Sequence, residues 1–240
     1  MAQSYFIWKG MDCRAMGITL RGPVPIVRPE ERVKHIEIPG RSGDLTELES
    51  DEEDKIFNSY IQTASISVRG GFRVRDVANW LSGSGYVTFS GEPDRKQEAR
   101  IIGAVTLNRH SYNLDWWVGE VQFYCQPLKQ LLNPAEVTVT SSGTNVINRG
   151  DVTAKPRIAL TASGSSATVA AGGKSLTITG LTSGYTYVID SDVQEVTNAA
   201  RTEWLTVNSS GEFPVLKPGP NSVTGSGWSS LLIGRRERFL

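Results

Sequence analysis

The sequence predicts a mainly β protein of two consecutive domains: an N-terminal β-rich domain with one helix, then a C-terminal β-sandwich. Three observations carry that reading. Apolar residues recur two apart through most of the chain, Gly, Pro and Asn steps break the alternation at short intervals, and one segment switches to a helical period. At 240 residues the chain has room for one large β domain or two ordinary ones, at roughly 100–200 residues per domain.

In the first domain, Val33 to Ile38 alternates into a turn at Pro39-Gly40-Arg41-Ser42-Gly43. Ala64, Ile66 and Val68 then share one face, with Thr63, Ser65, Ser67 and Arg69 on the other, and Gly70-Gly71 stops the run. From Arg73 to Leu81 the period changes: Val74, Val77, Ala78 and Leu81 stand at i, i+3, i+4 and i+7, one face of a helix, and Gly83 ends it. Strand character returns at Tyr86–Phe89, followed by a turn at Gly91-Glu92-Pro93-Asp94. Two further strands are expected at Ala99–Leu107 and Asp115–Tyr124, the second with Trp117, Val121, Phe123 and Cys125 on one face and Pro127 as its stop.

After Asn133-Pro134 the composition turns to Thr, Ser, Gly and Val, so the domains are placed at 1–134 and 135–240. Short strands are expected at Glu136–Thr140, Arg157–Thr161, Ser175–Thr179, Tyr185–Asp190, Trp204–Asn208 and Ser229–Ile233. Regular short strands with turn signals suit a sandwich.

Composition narrows the function. Hydrophobic residues at 39% support a genuine core, and 25 basic against 25 acidic residues give no long-range attraction for nucleic acid or an anionic membrane. Zero net charge also supplies little colloidal repulsion, which suits a protein that lives in an assembly. Two cysteines, Cys13 and Cys125, are too few for a disulfide scaffold or a zinc knuckle and read as thiols made in a reducing cytosol. The start, MAQSYFIWKG, has no basic region followed by an apolar run, and no stretch reaches the roughly 18 apolar residues of a membrane span. The expectation is a soluble product made in the cytosol, or one that leaves the cell by some route other than secretion.

Motifs for catalysis are absent. His35 lies in a strand and His110 at a turn, with no nucleophile elbow to accompany either. Gly172-Gly173-Lys174-Ser175 matches the end of a phosphate loop, but Thr168 stands where the first glycine is required, so a hairpin is the better reading. The acidic run from Glu47 to Asp54 lacks the spacing of a calcium loop and reads as a solvated or partner-facing loop. Tyr185, Tyr187, Trp204 and Trp228 suit either a sugar-stacking platform or a sandwich core, with the core favoured. Arg235, Arg236 and Arg238 read as a solvated strand edge rather than a phosphate contact. No metal, no cofactor and no catalytic residue is expected.

Several of these pieces stand in a recognisable order: Tyr5-Phe6-Ile7-Trp8-Lys9-Gly10, Met16-Gly17-Ile18, the Ile38-Pro39-Gly40-Arg41-Ser42-Gly43 turn, Asn79-Trp80-Leu81-Ser82-Gly83 and Phe89-Ser90-Gly91-Glu92-Pro93-Asp94. Phe123-Tyr124-Cys125-Gln126-Pro127, Lys155-Pro156-Arg157-Ile158, Tyr187-Val188-Ile189-Asp190-Ser191, Leu216-Lys217-Pro218-Gly219-Pro220-Asn221 and the Arg-rich C-terminal strand follow. The series resembles the distal tail protein (Dit) family of long-tailed bacteriophages and prophages.

That resemblance implies a virion structural protein rather than an enzyme. Members form a hexameric ring at the tail tip, with N-terminal domains as a belt around a channel for the genome. The ring joins the tail tube protein to the tail hub and the end of the tape measure. The C-terminal domain, galectin-like or carbohydrate-module-like in fold, can carry receptor-binding proteins. Within this frame Pro39, Gly40, Arg41 and Gly43 become candidates for an interface or a locked turn, and Trp204 and Trp228 for a glycan or partner contact. A carbohydrate-binding module acting in host adhesion is the alternative function, and a cell-wall hydrolase a distant third.

Overall fold

The computed structural model describes residues 4–48, 55–69, 74–110 and 115–240. Its chain divides into two units, the first reaching Leu132 and also holding Leu240, the second running from Asn133 to Phe239.

The first unit is organised by β10 (Trp116–Leu131), a strand of 16 residues. Around it lie β1 (Phe6–Trp8), β2 (Met11–Asp12), β3 (Ile18–Leu20), β6 (Tyr60–Arg69), β7 (Ser84–Phe89) and β8 (Arg95–Ile102). They form an antiparallel sheet in the order β2-β1-β7-β8-β10-β6-β3, and β9 (Leu107–Arg109) adds to β10 where β8 has ended. The pairing of β10 with β6 runs unbroken over ten residues, from Trp116 opposite Arg69 to Cys125 opposite Tyr60.

This register sends Val121, Phe123 and Cys125, with Ala64, Ile66 and Val68, to one buried face. Helix α1 (Val74–Trp80) adds Val77 to the same core, and Leu81, just past its end, is also buried there. Phe123 sits at the centre of an aromatic group. Its ring meets Phe6, Trp8 and Phe89 edge-on at 5.4, 5.5 and 5.6 Å, and Trp80 stacks on Phe6 from the helix side.

Two expectations about strand ends fail here. The run Ala99–Leu107 is two strands, because Gly103 takes a left-handed φ of 72° and turns the chain out of β8. Pro127 does not stop β10. The register with β8 shifts between Cys125 and Lys129, so Pro127 falls in a bulge that demands no N–H from it. Gln97, buried in β8, donates through its amide to the Gln126 carbonyl inside that bulge and pairs with the Tyr60 hydroxyl.

Apart from this sheet stands a two-stranded one, β4 (Val33–Ile36) with β5 (Leu45–Leu48). Gly70-Gly71, Arg73 and most of the acidic run fall outside the described residues.

The second unit is a sandwich of two five-stranded antiparallel sheets. One contains β11 (Glu136–Val139), β13 (Arg157–Ala162), β16 (Thr186–Asp190), β17 (Glu195–Asn198) and β20 (Trp228–Gly234), in the order β11-β20-β13-β16-β17. The other contains β12 (Thr144–Asn148), β14 (Ser166–Ala171), β15 (Lys174–Thr179), β18 (Ser209–Gly211) and β19 (Gly219–Ser226), in the order β12-β19-β14-β15-β18. Ile158, Leu160 and Ile189 from the first meet Val169, Leu176 and Ile178 from the second in one core.

The Gly172-Gly173 step closes the β14–β15 hairpin with φ of 63° and 85°, a two-residue turn between paired Ala171 and Lys174. A phosphate loop is excluded by that geometry. Trp204–Asn208 is not a strand: Trp204 makes one bridge to Thr197, and Thr206–Asn208 forms a single 3-10 turn.

Phe123→Ala removes the ring on which three aromatic contacts converge. The variant is expected to lose about 3–5 kcal/mol of stability, read by urea denaturation followed through tryptophan fluorescence.

Candidate interaction surfaces

The Pro39-Gly40-Arg41-Gly43 segment lies at the tip of the β4–β5 hairpin. The Arg41 N–H donates to the Ile38 carbonyl at 3.1 Å, and Gly40 has φ of 82°. With Pro39 at the second position and a positive φ at the third, this is a type II turn. Gly43, φ 86°, then redirects the chain into β5. A Cβ at either glycine would meet no atom within 4 Å, so backbone angle and not space selects glycine there.

The base of the hairpin is fastened by paired backbone. The Arg32 N–H donates to the Ile56 carbonyl at 2.7 Å, and the Asn58 N–H to the Glu30 carbonyl at 2.8 Å. Lys55 pairs with Glu31 at 3.1 Å, and Phe57 is buried. Above that base no described side chain is buried. Ile36 and Leu45 face each other across the strands, Leu45 is 46% exposed and Ile38 38%, and neither joins a core cluster. Arg41 is exposed at the tip.

The aromatic residues of the sandwich divide. Tyr187 is buried and its hydroxyl accepts from the Thr182 N–H, while Trp228 packs on the core and donates from Nε1 to the Thr168 carbonyl at 3.1 Å. Tyr185 and Trp204 are exposed at 65% and 57%. Of the two tryptophans singled out in the sequence, the structure therefore presents Trp204 to solvent and holds Trp228 in the sandwich.

The Arg-rich C-terminal segment is not a solvated edge. Arg235 is buried, pairs with buried Glu237 at 3.1 Å and donates to the Ile147 carbonyl at 2.9 Å. Glu237 also accepts from the Arg149 N–H. Arg236 grips Asp190 through two bonds of 2.7 and 2.8 Å, and Arg238 reaches Asp192. The partners lie some forty-six residues upstream, a separation that no local pattern reveals. This ion-pair set ties the chain end into the sandwich and leaves it no role as a phosphate contact.

Among the described residues, no group of three His, Cys, Asp or Glu side chains is placed to hold a metal. His35 is exposed in β4 opposite Thr46, and the backbone of His110 donates to the Trp116 carbonyl. Both cysteines are free and buried; burial raises the Cys13 thiol and pushes that of Cys125 up to about 12. Neither is an activated nucleophile. No described helix is long and apolar enough to cross a membrane.

No protein-family model matches the sequence, and no curated protein matches it. The fold does match a solved structure. The Dit protein of phage SPP1, described as a paradigm of the hub adsorption apparatus in phages that infect Gram-positive hosts, superposes with a TM-score of 0.77. The alignment covers 100% of both chains at 17% sequence identity. The chain thus has the fold of a phage distal tail protein across both of its units.

Asp190 supplies a pH test. Burial raises its carboxyl pKa, but hydrogen bonds and charge from Arg236 outweigh that and hold it below its ordinary value of 3.8. The stabilisation is complete above the unfolded value and fades as pH falls through the lower folded one. Asp190→Asn is therefore expected to be less stable than the natural chain at pH 7, with the gap narrowing below about pH 4, measured by denaturant titration at each pH.

Proposed function

We propose that the chain is a structural component of the bacteriophage tail tip, a distal tail protein that acts by assembly and not by catalysis. The observation that carries this reading is the full-length likeness to a tail hub protein, which extends over the β-rich unit, the single helix and the sandwich alike. The ordered motifs of the sequence support it independently.

In this reading the first unit is the belt domain of a hexameric ring that joins the tail tube protein to the tail hub and the end of the tape measure. The genome passes through the channel without specific binding, which agrees with a chain of zero net charge. The sandwich faces outward as the platform for receptor-binding proteins. The protein is made in the host cytoplasm and resides at the tail tip of the virion.

The β4–β5 hairpin is the element best suited to bind the next subunit. A two-stranded sheet in which no described side chain is buried gains little from its own chain, and Ile38 and Leu45 offer it apolar surface for a partner. A ring of head-to-tail contacts joins two different patches of each subunit, and a projecting arm meets that requirement. The Pro39–Gly43 turn holds its tip in one shape, with Arg41 as its exposed charge.

Light scattering after size exclusion is expected to give a mass near six chains of 26.2 kDa, imaged in negative stain as a ring with a central hole. Ile38→Asp combined with Leu45→Asp is expected to weaken assembly about tenfold or more while leaving the thermal melt of the monomer unchanged. A chain that stays monomeric alone and with its tube and hub partners contradicts the proposal.

A further inference from the structure

An unfilled strand edge is a template for another strand, and folded chains cover their edges for that reason. In the sandwich, the outer edge of β17 is taken by the Leu205 N–H, which donates to the Val196 carbonyl, and by the Thr206 hydroxyl, which accepts from the Val196 N–H. On β12 the Arg235 guanidinium binds the Ile147 carbonyl at 2.9 Å.

The first unit has an edge without such cover. β3 pairs with β6 from Ile18 opposite Val68 to Leu20 opposite Ile66. Beyond Leu20, the Arg21 N–H donates to the Ser65 carbonyl at 3.0 Å, and there the ladder stops. Pro23 and Pro25 follow and have no N–H with which to continue it. Gln62, buried on the core side of β6, binds the departing segment at the Pro25 carbonyl instead.

Alternate residues of a strand turn their N–H and C=O to the same side. Ser65 and Arg69 turn theirs toward β3, so Ile61 and Thr63 present theirs along the same side, where β3 has ended. No described residue bonds to those backbone groups. A pocket of about 290 Å³ opens beside them, between Arg21–Val24 and Thr63–Ser65.

The outward side chains along this edge form a pattern. Ile61 is 52% exposed, and Tyr124, opposite it on β10, is 41% exposed. Thr63 is exposed next to them, and Arg21 beyond it is exposed with no ion pair among the described residues. The edge is therefore apolar at Ile61 and cationic at Arg21. A short strand with one free edge, apolar at one end and acidic at the other, fits it.

β5 is such a strand. It pairs with β4 on one side and with no described strand on the other. Its four residues match the open stretch of β6 from Tyr60 to Ala64 in length. Exposed Leu45 and Glu47 stand two apart on one face, and Glu47, although opposite Lys34 in register, makes no ion pair with it. β4 fits less well, because it would bring Lys34 to Arg21.

We infer that β5 of a second copy of this chain adds to the open edge of β6, running parallel to it, with Leu45 beside Ile61 and Glu47 beside Thr63 and within reach of Arg21. The opposite direction would set Glu47 against Ile61 and Tyr124. Main-chain bonds to Ile61 and Thr63 supply affinity, and the side chains set the register. This pairing rests on the assembly reading and supplies the second of the two patches that a head-to-tail contact joins.

Thr63→Pro deletes one edge N–H and, because that N–H points away from β10, no bond of the β6–β10 ladder. Thr63→Ala keeps the N–H. Light scattering of the full chain, alone and with its tube and hub partners, reads assembly, and the thermal melt reads folding. Thr63→Pro is expected to weaken assembly about tenfold or more with an unchanged melt, while Thr63→Ala assembles like the natural chain. Arg21→Glu is expected to weaken assembly as well, and Glu47→Arg added to it to restore assembly. If Thr63→Pro shifts the melt, this charge exchange decides: no restoration overturns the inference. Normal assembly by Thr63→Pro also overturns it and leaves the assembly reading standing, as do Thr63→Pro rings that have lost only hub binding. A natural chain that stays monomeric under all these conditions contradicts the assembly reading and this inference with it.

Discussion

The ten-residue pairing of β10 with β6 is the constraint on which the first unit rests. A slip of one residue would exchange the two faces of both strands, sending Phe123, Val121 and Ile66 to solvent. With the register in place, Phe123 lies between β1 and β7 aromatics, and α1 closes over Phe6 through Trp80. The length of β10 also lets its other edge serve β9 and β8 in succession. The bulge at Pro127 is what allows the strand to run on to Leu131. Without it the missing N–H would end the ladder at Cys125.

The hairpin of β4 and β5 follows a different logic from the rest. Every other sheet has a buried face, whereas this one shows Ile38 and Leu45 to solvent and is fastened at its base, around Phe57. Its turn is closely specified by Pro39 and two glycines of positive φ. On the proposed reading, a shape so defined and so poorly supported from within is completed by contact with a second subunit. The sandwich, by contrast, is complete in itself. Its core joins both sheets, and Arg235, Arg236 and Glu237 tie down the segment after β20.

Period alone made much of this legible. The alternation at Ala64, Ile66 and Val68, the helical spacing from Val74 to Leu81 and the Gly172-Gly173 hairpin follow from local rules, and the structure has each of them. Errors arose where a local signal had a distant answer. Pro127 reads as a stop unless the extra residues opposite β8 are known, and the Arg-rich end reads as solvated unless Asp190 and Asp192 are known to face it. Strands such as β12, β17 and β19 were not legible, since their Thr, Asn, Gly and Ser residues are held extended by pairing with neighbouring strands and not by propensity. The Pro39–Gly43 turn was visible as a motif, but the exposure of the hairpin that carries it was not. For the tryptophans, only the structure shows that Trp204 stands in solvent while Trp228 turns inward.

The central proposal is that the hairpin from Val33 to Leu48 is completed by another subunit. Hydrogen–deuterium exchange on this segment, compared between dilute monomer and assembled particle, tests it most directly. Rapid exchange of these amides in the monomer and marked protection in the assembly, with β10 equally protected in both, is the predicted result. Protection of the hairpin already in the monomer, or rapid exchange that persists in the assembled ring, would contradict it.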